Sequence, residues 1–125
     1  MGNIFFYKEG NIYRSGIAGN NLTILGDFFC DFGISSIQVA KKMLLDHAND
    51  GFSGNLFHLD KEGDKVILYH QLFEDIPALI IPTAHLIELI DQWIEIIKTA
   101  PDEIVLTERE DGTFYFKADS HLYDE

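Results

Sequence analysis

Short apolar and β-branched runs, separated by Gly, Asn and Asp, recur along this chain and predict β-hairpins. Three hairpins follow from paired runs around a turn: 3–8 with 12–14, 55–59 with 65–70 around Gly63, and 103–107 with 113–117 around Asp111 and Gly112. The run 78–81 lies between Pro77 and Pro82, which is typical of a short edge strand. Residues 22–25 predict a further short strand.

Two other segments carry apolar residues at spacings of three and four, which predicts amphipathic helices. The first is capped by Ser35 or Ser36, ends near Gly51, and has an apolar face made of Ile37, Ala40, Met43, Leu44 and His47. The second follows Thr83 as its N-cap and ends before Pro101. Its apolar positions are Leu86, Ile87, Leu89, Ile90, Trp93, Ile94, Ile96 and Ile97. The aromatic segment 26–33 fits neither pattern.

These elements predict an α+β fold in a single domain, residues 1–125. Tight turns join most consecutive strands, so the sheet is expected to be mostly antiparallel, with two helices packed on one face. A strongly curved sheet wrapped around the second helix is the alternative. Trp93 or Ile94 should lie in the core, and replacing a buried Ile90 by Ala would cost about 2 to 5 kcal/mol.

The composition indicates a folded protein and bears on the compartment in which it is expected. Residues of the apolar classes make up 46% of the chain, which is too many for a disordered protein. No apolar run reaches the roughly 18 to 20 residues that span a bilayer, and the N-terminus does not resemble a signal peptide. The single Cys30 cannot form an internal disulfide, so a cytoplasmic location is expected.

Negative charge is concentrated in the second half of the chain. Thirteen carboxylates and three basic residues lie after residue 73, against eight and six before it, so this part carries −10 of the net −12. Such a field favours association with a basic partner and opposes binding to nucleic acid. A basic protein partner is therefore expected, and the sequence leaves the oligomeric state open.

The acidic residues that form the candidate partner-binding site lie on the second helix and the last hairpin. Glu88, Asp91 and Glu95 are spaced to form one acidic stripe, with no compensating base before Lys98. The hairpin adds Glu108, Glu110 and Asp111, and the preceding loop adds Glu74 and Asp75. Aromatic residues near these segments are candidates for binding hot spots: Tyr69, Phe73, Tyr115 and Tyr123. The alternative is that the stripe is only a solvated outer face.

Other candidate chemistry is weak, and neither a catalytic nor a metal site is predicted. His58 and His70 lie on paired strands and could meet, but the histidines lack a zinc-binding spacing. The residues Asp60, Glu62 and Asp64 do not match a calcium-binding loop. Cys30 has aromatic and acidic neighbours, which would raise the pKa of its thiol, so a structural role is expected. No phosphate-binding, dinucleotide or hydrolase motif is present, so we expect no enzymatic activity and no cofactor.

In size, charge and α+β composition the whole chain resembles the small acidic immunity proteins of bacterial polymorphic or contact-dependent growth-inhibition toxin systems. The resemblance implies a cytoplasmic protein without enzyme activity that neutralises a toxin, such as a basic nuclease domain, by tight binding. It transfers no functional residue, because no diagnostic motif carries it. An acidic secretion chaperone for an effector, and a small-molecule-binding domain or enzyme, are the alternatives.

Overall fold

The computed structural model describes residues 2–10, 12–16, 21–32, 36–72 and 75–118. The strands in these ranges are β1 Asn3–Glu9, β2 Ile12–Ser15, β3 Gly51–Ser53, β4 Phe57–Glu62, β5 Lys65–His70, β6 Leu79–Pro82, β7 Glu103–Glu108 and β8 Phe114–Ala118. The helices are α1 Asn21–Asp31, α2 Ile37–Leu45 and α3 Thr83–Ile97. Phe73, Glu74 and Tyr123, which were candidates from the sequence, lie outside the described residues.

The strands form two four-stranded antiparallel sheets. The first sheet has the order β2-β1-β7-β8 and the second the order β3-β4-β5-β6. All three predicted hairpins are confirmed as β1–β2, β4–β5 and β7–β8, and the short strand after Pro77 is confirmed at the edge of the second sheet. The α+β class with antiparallel pairing is therefore confirmed, although the strands divide into two sheets where one was expected.

Helix α1 corrects the prediction of a strand at residues 22–25, and it adds a third helix to the two expected. Its side chains are buried on several sides, including Leu22, Ile24, Leu25, Phe28 and Phe29. The reason is that α1 contacts β1 and β2 of the first sheet and β4 and β5 of the second. A helix buried on several sides has only a weak amphipathic period, so a short apolar run within it cannot be distinguished from a strand.

The two predicted helices are confirmed as α2 and α3, with changes at the end of α2 and the start of α3. Helix α2 ends at Leu45 and not near Gly51, because Asp46 adopts an extended backbone, so His47 lies beyond the helix and is exposed. Ser36 is the N-cap of α2, although its side chain makes no capping hydrogen bond. Thr83, predicted as an N-cap, is the first helical residue of α3 and follows Pro82 as the cap. The Thr83 N–H donates to the carbonyl oxygen of Asp64 at 2.9 Å, so the β4–β5 turn provides an acceptor at this helix start.

The core is centred on aromatic rings that α3 and α1 bring against the first sheet. The Trp93 ring lies 5.1 Å from Phe6, 5.5 Å from Tyr13, 5.2 Å from Phe29 and 5.4 Å from Phe116, measured between ring centroids. Trp93 is buried and Ile90 has no exposed surface, as predicted. On its other sides α3 contacts α2 and strands β5 and β6 of the second sheet, so it is packed between the two sheets.

Candidate functional site

The three predicted carboxylates of α3 lie on the surface of that helix, beside an apolar groove. The groove has a volume of about 650 Å³ and is lined by Ala84, Ile87, Glu88, Asp91, Gln92, Glu95, Ile96 and Phe116. Its apolar lining is provided by Ala84, Ile87, Ile96 and Phe116, and carboxylates of α3 stand among these residues. We call this feature the α3 groove. Sequence reasoning identified its acidic residues but missed the cavity, because Phe116 comes from strand β8.

The carboxylates of the groove have basic neighbours, which corrects the expectation of an uncompensated stripe. The Lys41 ammonium lies 2.7 Å from Asp91 Oδ1, and the Lys98 ammonium lies 2.5 Å from Glu95 Oε2. Lys41 was missed because it belongs to α2, which packs against α3 only in the folded chain. The carboxylate side chains of Glu88, Asp91 and Glu95 nevertheless remain 59%, 51% and 70% exposed. Exposed pairs of this kind contribute about 0 to 1 kcal/mol each, so an incoming cation can replace them.

Two polar side chains of α3 close the free edge of strand β8. The Phe114 N–H donates to His85 Nε2 at 2.9 Å, and the Phe116 N–H donates to Gln92 Oε1 at 3.0 Å. His85 Nε2 accepts this bond, and the other ring nitrogen, Nδ1, faces Glu88 Oε1 at 3.2 Å. These bonds hold α3 at a fixed distance from β8 and so determine the width of the groove.

The acidic residues of the last hairpin lie next to one end of the α3 groove. His85 stacks on Phe114, the first residue of β8, so the β7–β8 turn is adjacent to the Glu88 end of α3. Glu110 and Asp111 are exposed in this turn, whereas Glu108 is half-buried. The hydroxyl and the N–H of Thr113 donate to Asp111 Oδ1 at 2.6 and 3.0 Å, and these bonds lower the pKa of the Asp111 carboxyl. Asp111 is thus ionised and shapes the turn.

Tyr115 and Tyr69, the described aromatic candidates, do not line the groove. Tyr115 alternates along β8 with the buried Phe114 and Phe116, so it lies on the opposite face of the first sheet. Its ring lies 4.5 Å below the Arg109 guanidinium and 5.7 Å from the Lys117 ammonium. Tyr69 is exposed on the second sheet, where it stacks on His58. Neither aromatic ring is therefore positioned to share a binding surface with the α3 carboxylates.

The suggested meeting of His58 and His70 is wrong, because their side chains point to opposite faces of the second sheet. In the register of β4 with β5, His58 pairs with Tyr69 and His70 with the buried Phe57. His70 is buried, and its Nε2 lies 2.9 Å from Asp27 Oδ2 on α1. Burial raises the pKa of the Asp27 carboxyl, although the neighbouring His70 lowers it. In the described part of the chain, no group of three or more His, Cys, Asp or Glu residues is arranged to hold a metal ion.

His58 takes part in a Ser-His-Asp network that sequence reasoning missed. The Ser53 hydroxyl lies 2.6 Å from His58 Nδ1, and His58 Nε2 lies 2.8 Å from Asp60 Oδ1. The three side chains come together because β3 pairs with β4. The three residue types are those of a hydrolase triad, but the ring nitrogens are exchanged, since a triad places the carboxylate on Nδ1 and the hydroxyl on Nε2. The side chains of His58 and Asp60 are also 43% and 46% exposed. Water therefore competes for both bonds, which weakens the electrostatic effect that such a relay needs.

Cys30 lies near the end of α1 and is only partly accessible. Burial is the main reason that the pKa of its thiol is raised, and the nearby carboxylates of Asp27 and Asp31 raise it further. A hydrogen bond with Ser15 lowers the pKa but does not offset burial. This agrees with the direction expected from the sequence, and it makes Cys30 a poor nucleophile at neutral pH.

The chain was compared with known proteins at the levels of family, sequence and fold. No family model, curated protein or solved structure matches it. Within the described residues, none of the helices has the length and apolar character needed to cross a bilayer. The interpretation of function therefore depends on the geometry and charge of the α3 groove.

Proposed function

We propose that this protein is a non-enzymatic binding protein that neutralises a basic protein partner, and that the α3 groove is its docking surface. The partner class we propose is a toxin domain, such as a basic nuclease, which would make the protein a cytoplasmic immunity protein. The observation that carries the proposal is an apolar groove lined by three exposed carboxylates. The likeness in size and charge to immunity proteins supports the choice of a toxin as the partner.

The groove combines two features that a tight protein interface uses. Apolar side chains at its floor can be desolvated by a partner, and this burial is the main source of affinity. The surrounding carboxylates add complementary charge, which raises the association rate and excludes acidic competitors. The −10 carried after residue 73 extends this effect beyond the contact area.

A non-enzymatic role agrees with the state of the nucleophilic groups. The raised pKa of the Cys30 thiol and the solvent exposure of the Ser53, His58 and Asp60 network both disfavour covalent catalysis. Inhibition by binding needs only a rigid complementary surface. Helix α3 provides this, because it is packed against α2 and both sheets.

The test is charge reversal at the groove, with a control of equal net charge. The test variant carries Glu88→Lys, Asp91→Lys and Glu95→Lys. The control variant carries Glu9→Lys, Glu62→Lys and Asp102→Lys, which are exposed acids outside the groove lining and outside the predicted acidic site. The probe is the tagged product of the gene adjacent to the one for this protein. Affinity and association rate are measured by surface plasmon resonance at several salt concentrations, with growth protection in cells that express the probe.

Both variants should slow association, because both reduce the net negative charge, and the test variant should slow it more, because its changes lie at the contact. Only the test variant should also weaken affinity by tenfold or more and abolish growth protection, because it alone places like charges at the contact. Equal affinities of the two variants would show that the groove is not the interface. If the wild type neither binds the probe nor protects cells, the toxin assignment is wrong.

A further inference from the structure

The α3 groove is a shallow, open depression that follows one face of α3 over the length of a short helix. Its lining residues on α3 are Ala84, Ile87, Glu88, Asp91, Gln92, Glu95 and Ile96, which recur at spacings of three and four. Positions 84 to 96 extend over about 18 Å of helix axis, or about three turns. A side-chain stripe of this period accepts the ridge of a second helix packed alongside it.

An extended strand is a poorer occupant of the α3 groove than a helix. Peptides that add to a sheet need free backbone donors at its edge. On the α3 side of β8, the N–H groups of Phe114 and Phe116 already donate to His85 and Gln92. A segment in the groove would therefore be recognised through its side chains, as an amphipathic helix is.

Asp91 lines both the α3 groove and a second depression, and its carboxylate is paired with Lys41. The second depression has a volume of about 360 Å³, lies between α2 and α3, and is lined by Gln38, Lys41, Lys42, Leu45, Asp91 and Ile94. The Lys41 ammonium donates to Asp91 Oδ1 at 2.7 Å, in the position that a cation of a partner would take. Lys41 is thus an internal competitor for the central carboxylate of the groove.

We propose that the α3 groove binds a basic amphipathic helix of about three turns, and that a Lys or Arg of this helix displaces Lys41 from Asp91. The apolar side of the helix packs on Ile87, Ile96 and Phe116. Its flanking bases meet Glu88 and Glu95. This inference rests on the proposed function, because it specifies the segment of the basic partner that enters the same groove.

The test uses two labelled synthetic peptides of about 12 residues, each stapled into a helix. In the first, Leu and Arg residues form an apolar and a basic face. The second has the same composition in a scrambled order, so its net charge is identical but its faces are mixed. Binding is measured by fluorescence anisotropy against the wild type, Ala84→Phe, Lys41→Gln and Lys65→Gln. Ala84 is exposed, so Phe can obstruct the groove with little effect on folding, and Lys65 is an exposed lysine outside the lining of either depression.

The wild type should bind the amphipathic peptide more tightly than the scrambled one, and Ala84→Phe should weaken this binding about tenfold or more. Lys41→Gln should tighten it by about two- to fivefold, which is the effect of removing an exposed competing ion pair. Lys65→Gln makes the same change in net charge and should act equally on both peptides. Circular dichroism of each variant confirms that it is folded.

Three results would overturn the inference: no binding of the amphipathic peptide, equal binding of both peptides, or an unchanged affinity in Ala84→Phe. An effect of Lys41→Gln no larger than that of Lys65→Gln would remove the competitor role of Lys41. These failures are distinct from failure of the proposed function. If the natural partner no longer binds the charge-reversed variant but binds Ala84→Phe normally, the acidic docking surface stands and the helical occupant does not.

Discussion

Cys30 illustrates how an unreactive environment is built from a few neighbours. Its thiol lies on α1 within a partly buried site, and the carboxylates of Asp27 and Asp31 are close enough to disfavour the thiolate. The Asp31 carboxylate has a structural task of its own, because Oδ2 accepts the Leu56 N–H at 2.7 Å. The Cys30 thiol therefore contributes to packing, and desolvation disfavours its reactive thiolate form.

Cys30 should react slowly with thiol reagents in the native protein. Its raised pKa leaves less thiolate at neutral pH than a free cysteine has, and partial burial limits access. The native labelling rate with a chromogenic disulfide should therefore rise as the pH is raised, and unfolding in urea should remove the protection. Rapid labelling of the folded protein at neutral pH, accompanied by loss of partner binding, would instead give Cys30 a functional role.

At the scale of elements, α3 performs three tasks with three sides. Its apolar side enters the core through Leu86, Leu89, Ile90, Trp93 and Ile97. A second side carries His85 and Gln92 against β8, and the third carries the groove carboxylates. Sealing a sheet edge with side chains of a helix also protects it, because an unpaired edge is a site of aggregation.

Gln92→Met should destabilise the protein by about 1 to 3 kcal/mol. Met has a similar length but cannot accept the Phe116 N–H, so a part-buried backbone donor is left without its partner. Gln38→Met on the exposed side of α2 is the matched control and should cost far less. Urea denaturation followed by circular dichroism measures both, and equal effects would mean that Gln92 does not stabilise the β8 edge.

At the scale of the whole molecule, net charge works against folding. The net charge is −12 for 125 residues. In five of the six ion pairs among the described residues, the carboxylate side chain is partly or largely exposed, so these pairs stabilise the fold weakly at most. Self-repulsion of this kind is a cost that the native core must offset.

Salt should therefore stabilise the folded protein. Raising the salt concentration from about 0.01 M to about 0.15 M shortens the screening length from about 30 Å to about 8 Å, so the midpoint of urea unfolding should increase. The Glu88, Asp91 and Glu95 charge-reversed variant has a net charge of −6, since each of three reversals adds two charges to −12. Its midpoint should respond less to salt. A decrease with salt in the wild type would show that ion pairs outweigh the repulsion.

Local patterns were sufficient where an element presents one face to the core. The three hairpins follow from turn residues, since Gly10, Gly63 and Gly112 all adopt positive φ angles that other residues rarely take. Helices α2 and α3 follow from their apolar period. Helix α1 was missed because it contacts both sheets, and burial on several sides weakens the period on which the prediction depends.

The sequence by itself determined the antiparallel α+β class, the positions of most elements and the acidic stripe on α3, because each of these depends on residues close together in the chain. Tertiary structure alone decided that Phe116 lies beside that stripe to make a groove, that Lys41 reaches Asp91, and that β8 is sealed by α3. The hydrogen bonds among these contacts join residues 24 to 50 positions apart in the chain. Which residues meet is determined by how the helices pack between the two sheets. No local pattern encodes that packing, because it is set by the shape and volume of the whole core.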